Sequence, residues 1–126
     1  MTEDQREQMK ALAQECGLTK EDFFKHQHYT IITRQGIEKI AAKKGIQLNY
    51  TCIAAREPYA AVKCNAHTED LTAVQTPGSA SKLNSHNNYY LEMAEKRAKS
   101  RAVLQLTNLY SYGVFGEDEA DDFKRG

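Results

Sequence analysis

The chain of 126 residues balances 17 Lys and Arg against 17 Asp and Glu, for a formal net charge of zero, with 40% hydrophobic residues and no tryptophan. That length suits one domain around one core, and the composition excludes a disordered tail. No apolar run approaches the roughly 20 residues that span a bilayer, and the charged N-terminus lacks the apolar stretch of a secretory signal, so a soluble cytoplasmic protein without membrane contact is expected.

From Glu3 to Cys16, Met9, Leu12, Ala13 and Cys16 recur at spacings of three and four, which predicts a short amphipathic helix ended by Gly17. Thr19 followed by Asp22 resembles a capping box in a segment too short to assign. "HYTIIT", residues 28–33, is β-branched and aromatic and predicts a strand leading into a helix over Arg34–Lys44, with Ile37, Ile40 and Ala41 on one face and Gly45 as the stop. In "IQLNYTCI" the apolar residues Ile46, Leu48, Tyr50 and Cys52 alternate with polar ones, the clearest strand signal in the chain.

After a turn at "AREP", Tyr59–Thr68 alternates again, with Ala60, Val62, Cys64 and Ala66 inward and Tyr59, Lys63 and Asn65 outward. "HTED" reads as a turn and Leu71–Val74 as the third strand of an antiparallel meander. Residues 75–88, "QTPGSASKLNSHNN", read as a mobile loop. A long helix follows from about Tyr89 to Leu109, with Leu91, Ala94, Ala98, Ala102 and Leu109 on one side. The expected fold is α+β: a curved antiparallel sheet of three to four strands packed against a long C-terminal helix, within a single domain of residues 1–116.

Residues 117–122, "EDEADD", hold five acids in six positions and open an acidic tail over residues 117–126. Setting aside those five acids, Lys124 and Arg125, residues 1–116 keep 12 acids and 15 cations, a small excess whose clustering matters more than its size. The tail's default reading is a solvated one, with competition for basic residues as an alternative.

The cations concentrate in "LEMAEKRAKSRAVLQL". Arg97 and Arg101 lie one helical turn apart, Lys96 and Lys99 are read as flanking the same side, and guanidinium groups at that spacing suit phosphate oxygens. The competing reading is a water-facing stripe with Glu92–Lys96 and Glu95–Lys99 pairs. "MAEKRAKSRAVLQL" resembles the "AETRA…RAL" helix of phage and mobile-element single-strand annealing proteins of the Erf type, within the superfamily that includes the eukaryotic-type single-strand annealing recombinases. The match rests on Ala94, Glu95, Arg97, Ala98, Arg101, Ala102 and Leu104. "TRQGIEKIAAKKGIQL" resembles the segment preceding the curved sheet in the same proteins, and the similarity spans roughly residues 29–110.

That resemblance implies a β-β-β-α annealing core, single-stranded DNA in a groove between sheet and helix, and homo-oligomeric assembly into rings or filaments. It carries phosphate contacts over to Arg97 and Arg101, with Lys96 and Lys99 in support. Independently, single-strand binding combines cations with aromatic faces for stacking, which adds Tyr59 and Lys63 on the outward face, Arg56 in the adjacent turn, and Tyr89 and Tyr90 at the helix start. A protein-interaction or assembly module of the same fold, without DNA binding, is the alternative that zero net charge favours.

Metal and catalytic chemistry find less footing. His26 and His28, Cys64 and His67, and Cys52 offer zinc-like spacings, but Cys52 and Cys64 fall on the apolar strand faces expected of structural thiols. Three cysteines, Cys16, Cys52 and Cys64, cannot all pair within the chain, so reduced, buried thiols are expected. The chain contains no nucleophile elbow, HExxH or P-loop motif. The expectation is a non-enzymatic DNA-binding protein without cofactor or metal.

Overall fold

The computed structural model of the chain describes residues 2–27, 29–56, 58–70, 72–81 and 90–119. Helix α1, Glu3–Cys16, opens with a capping box: Thr2 Oγ1 accepts from the Gln5 N–H at 3.2 Å, and Gln5 Oε1 accepts from the Thr2 N–H at 3.0 Å. A single 3-10 turn, Lys20–Asp22, leads into β1, Phe23–His26, which pairs antiparallel with β2, Tyr29–Ile32. Helix α2, Arg34–Lys44, starts where Thr33 Oγ1 accepts from the Gly36 N–H at 3.2 Å and ends on Gly45. Three strands follow, β3 (Gln47–Arg56), β4 (Tyr59–His67) and β5 (Ala73–Ser81), then helix α3, Tyr90–Leu106, a 3-10 turn at Leu109–Tyr112, and β6, Val114–Gly116.

The strands form two three-stranded sheets rather than one of four. One is β1-β2-β6, in which β6 returns to lie parallel to β2, with Phe115 set edge-on to Tyr29 at 5.3 Å between ring centres. The other is the antiparallel meander β3-β4-β5, with Tyr50, Cys64 and Thr76 side by side across it and a bulge between Cys52 and Ala54. The α+β class and the run of three strands followed by a long helix are as the sequence predicts.

Helix α3 lies across β4 and β5 and only grazes β3. Beneath it are Ala60, Val62, Cys64 and Ala66 of β4 and Thr76, Gly78 and Ala80 of β5, all buried. Its contact stripe is Ala94, Ala98 and Ala102, which the sequence placed there, and Thr76 donates its hydroxyl to the Ala98 carbonyl at 2.7 Å. Gly78 is what lets the helix sit so low. A Cβ added there would collide with the Ala94 carbonyl oxygen and stand 2.5 Å from the Ala98 nitrogen, both backbone atoms that cannot rotate away. Helix α3 also contacts α2, and Ile37, Ile40, Val103 and Leu104 of the two helices belong to the common core.

Several expectations change. The predicted loop over residues 75–88 is strand as far as Ser81; residues 82–88 and Tyr89 lie outside the described residues. Pro77 and Gly78 disguise β5, yet an edge strand tolerates proline on its unpaired side. Strands β1 and β6 are too short to show a period. The face of β3 expected to be buried is largely open: Leu48 is half-buried, and Tyr50 and Cys52 are exposed because the helix only grazes that strand. Cys16 and Cys64 are buried free thiols, pushed up in pKa chiefly by burial, whereas Cys52 is an exposed one. Leu91 is likewise exposed.

Asp22 ties the first turn to α2. Its carboxylate, almost wholly buried, accepts from Lys39 Nζ and from the Thr19 N–H, each at 2.8 Å. Burial raises its pKa, but the bonds from Lys39 and Thr19 outweigh that and hold it below the ordinary aspartate value.

Two predictions follow from this packing. Gly78→Ala should lower the unfolding free energy by about 3 kcal/mol, the upper range for forced overpacking, read as a drop in thermal midpoint. Because the unfolded chain binds a proton at Asp22 before the folded one does, its stabilisation is complete above roughly pH 4 and fades below. Urea titrations between pH 6 and 3 should therefore show the parent losing stability over that interval, while Asp22→Asn starts lower by about 2 kcal/mol and declines less.

Candidate nucleic-acid interface

The cations of α3 divide between its two flanks. Arg97 turns inward: it is 1% exposed, donating from Nη1 to the Ser79 carbonyl at 2.8 Å and from Nε to the Asp118 carbonyl at 3.1 Å. Arg101, half-buried, donates from Nη1 to the Pro77 carbonyl at 2.9 Å and ion-pairs with Glu119 at 3.6 Å. Pro77 has no N–H to give to β4, so it and, two residues on, Ser79 point their backbone groups toward the outer edge of β5. The two arginines cap those carbonyls. The expectation that Arg97 leads the phosphate contacts is thus corrected, because a guanidinium spent on two backbone carbonyls inside the protein has no surface to offer.

The lysines face α2 instead. Lys99 pairs with Glu38 of that helix, and neither expected pair within α3, Glu92–Lys96 or Glu95–Lys99, is found among the described residues. Lys96 is exposed, with no ion-pair partner among the described residues. Between the helices lies a cleft of about 60 Å³ lined by Arg34, Ile37, Glu38, Lys96, Lys99, Ser100 and Asp118. Arg34 comes from the first residue of α2, and its side chain is 49% exposed.

Three acids of the predicted tail fold back here. Glu117 Oε1 accepts from the Arg34 backbone N–H at 3.0 Å. Asp118, 2% exposed, accepts from the Arg34 side chain and from the Ser100 hydroxyl, the latter at 3.2 Å. Glu119 accepts from the Tyr110 hydroxyl at 2.6 Å, and burial together with that carboxylate pushes the Tyr110 pKa up. The solvated-tail reading therefore fails for Asp118, while residues 120–126 lie outside the described residues.

The remaining predicted contacts sit elsewhere. Tyr59, 45% exposed, stands opposite Arg56, and half-buried Lys63 opposite Thr51 and Pro77, on the sheet face turned away from α3. The sheet thus separates Arg56, Tyr59 and Lys63 from the cleft. Tyr90 is buried. The zinc-like spacings do not converge: Cys64 faces α3, His67 projects from the opposite face of β4, His26 belongs to the other sheet, and His28 lies outside the described residues. Among the described residues no group of three potential metal ligands forms. A hollow of about 490 Å³ bounded by Gln8, Leu12, Ile46, Leu106 and Tyr112 gathers no cluster of cations, and the Lys44 amine at its wall is paired with Glu15 at 2.9 Å.

Arg34 and Ser100 escaped sequence reasoning, whereas Asp118 and Glu119 belong to the acidic run for which it offered competition with basic residues as an alternative. A helical wheel held part of the signal: at about 100° per residue Arg101 lies only about 20° from Ala94, so a stripe of alanines that packs on a sheet brings both arginines with it. No protein-family model matches the chain, and no curated protein or solved structure matches it.

Arg97→Ala should cost about 3 kcal/mol, since it strips donors from two buried carbonyls and opens a hole, whereas Arg101→Ala should cost about 1 kcal/mol or less. Urea unfolding followed by circular dichroism measures both, and an Arg97→Ala protein of parental stability would contradict the capping role.

Proposed function

We propose that the chain binds single-stranded DNA through its phosphates, as an assembly of several copies, and supports strand annealing in cytoplasmic phage or mobile-element recombination. The observation that carries this reading is the cleft in which Arg34, Lys96 and Lys99 meet from two helices. Arg34 and Lys96 are exposed there, whereas Arg97 of the β5 edge is buried. The order β3-β4-β5-α3 also agrees with the annealing core that the sequence resemblance implies. Binding through the backbone is largely indifferent to sequence and weakens steeply with salt.

Assembly draws on the other edge of the meander. Residues 47–55 of β3 carry no charge, Tyr50 is 36% and Ile53 64% exposed, and α3 leaves most of the strand uncovered. An uncharged, uncovered edge of this length is suited to pairing with a strand of another copy. This same feature favours the second reading, an assembly module that binds no DNA.

Fluorescence anisotropy with single- and double-stranded oligonucleotides at two salt concentrations, alongside light scattering, separates the readings. The parent should prefer the single strand, and Lys96→Ala with Lys99→Ala should weaken binding and flatten the logarithmic salt slope by roughly 1.4, about 0.7 per lost phosphate contact. Ile53→Lys should shift the assembly toward monomer. Loss of assembly in that variant with no DNA binding by the parent at either salt would favour the second reading; parental binding by the double lysine variant would remove the cleft.

A further inference from the structure

Taking the cleft as the phosphate-binding surface, we infer that the segment Glu117–Glu119 is an internal competitor for it: a short anionic strap that holds Arg34, one of the three cations DNA would use, and sets negative charge beside the other two. The geometry carries this. Two of three consecutive acids address the cleft's own arginine, Glu117 at its backbone N–H and Asp118 at its side chain and at Ser100, while Glu119 pairs with Arg101 on the β5 flank of the helix. A carboxylate at a helix N-terminus and another on an arginine beside it reproduce what phosphate oxygens seek in such a place. Asp118 is also one of the residues lining the cleft, so a negative charge already stands inside the space a phosphate would enter.

The three acids differ in depth, and this separates structure from regulation. Asp118 is buried and anchors the segment, while Glu117 is half-buried and the Glu119 side chain keeps 14% of its surface in solvent. Each also makes a hydrogen bond that a neutral amide oxygen can keep: Glu117 from the Arg34 N–H, Glu119 from the Tyr110 hydroxyl at 2.6 Å. Charge can therefore be removed with the folded contacts retained. The strap acts as a threshold: a single phosphate must compete with carboxylates already in place, while a polyanion presenting many phosphates displaces them together.

The test is anisotropy with a fluorescent oligo(dT) on the full chain, comparing the parent with Glu117→Gln/Glu119→Gln. Removing two competing charges should tighten binding by about 10-fold near 50 mM salt and by about 2-fold or less near 200 mM, where the charges are screened. Adding Lys96→Ala and Lys99→Ala to the amide variant should abolish the gain. Glu119→Gln alone, which leaves the α2 cap intact, should give a smaller gain in the same direction and serves should the double variant unfold on thermal scanning. If the parent binds and the amide variants bind no tighter, the strap is overturned and the phosphate reading stands. If neither parent nor variants bind at any salt, the phosphate reading falls and the strap falls with it.

Discussion

The closeness of α3 to the β4-β5 surface is the constraint on which the molecule turns. Gly78 leaves out a Cβ that would strike the backbone of Ala94 and Ala98, and Ala94, Ala98 and Ala102 keep the helix side of the contact equally flat. Once the helix is that low and runs along the strands, residues four apart on it and two apart on β5 come nearly into step, about 6 Å of rise against about 6.8 Å. Arg97 and Arg101 then fall opposite the carbonyls of Ser79 and Pro77. The arginine spacing is thus a consequence of helix-on-strand geometry. A residue at Gly78 with a Cβ would lift the helix and lose the packed alanines and both caps.

This gives the meander two unlike edges. β5 is protected twice, by a proline that cannot donate and by guanidinium groups that satisfy its outward carbonyls; β3 has a bulge near one end and an arginine at its terminus, with uncharged residues between. The covering helix is also off-centre, sheltering β4 and β5 and leaving Tyr50, Cys52 and Ile53 in solvent. Leaving such a strand open in an isolated chain invites indiscriminate pairing, so a specific occupant for it is the economical explanation.

How much of this was legible depended on whether a residue's neighbours are near in sequence. Helices α1 and α2 came through because Thr2, Thr33, Gly17 and Gly45 mark their ends locally, and β4 came through because its buried alanines and Val62 alternate strictly. Strand β5 did not, because its inward positions are Thr76, Gly78 and Ala80, small residues whose meaning depends on a helix some 20 residues away. Strand β6 has three residues and exists because β2 is there to receive it. At the candidate site, spacing correctly put Arg97 and Arg101 together, but nothing local distinguishes a guanidinium aimed at a phosphate from one aimed at a carbonyl. Arg34 and Asp118, 84 positions apart in the chain, have no local signal at all.

A chain with no net charge can attract a polyanion only by separating its charges in space. Here the separation is partial: α3 sends its arginines toward β5 and the C-terminal acids, and its lysines toward α2, so the positive surface that survives is the small one at Arg34, Lys96 and Lys99. Its strength depends on how firmly Glu117, Asp118 and Glu119 stay beside it. Asp118 cannot leave without exposing a buried cluster of Arg97, Ser100 and Arg34 contacts, whereas its two neighbours can give way at little structural cost. Anchoring the middle residue and leaving the outer two near water holds the acids locally available whatever the ligand does. Under the proposed reading the competing charge is built into the fold, in the carboxylates of Glu117 and Asp118 beside Arg34.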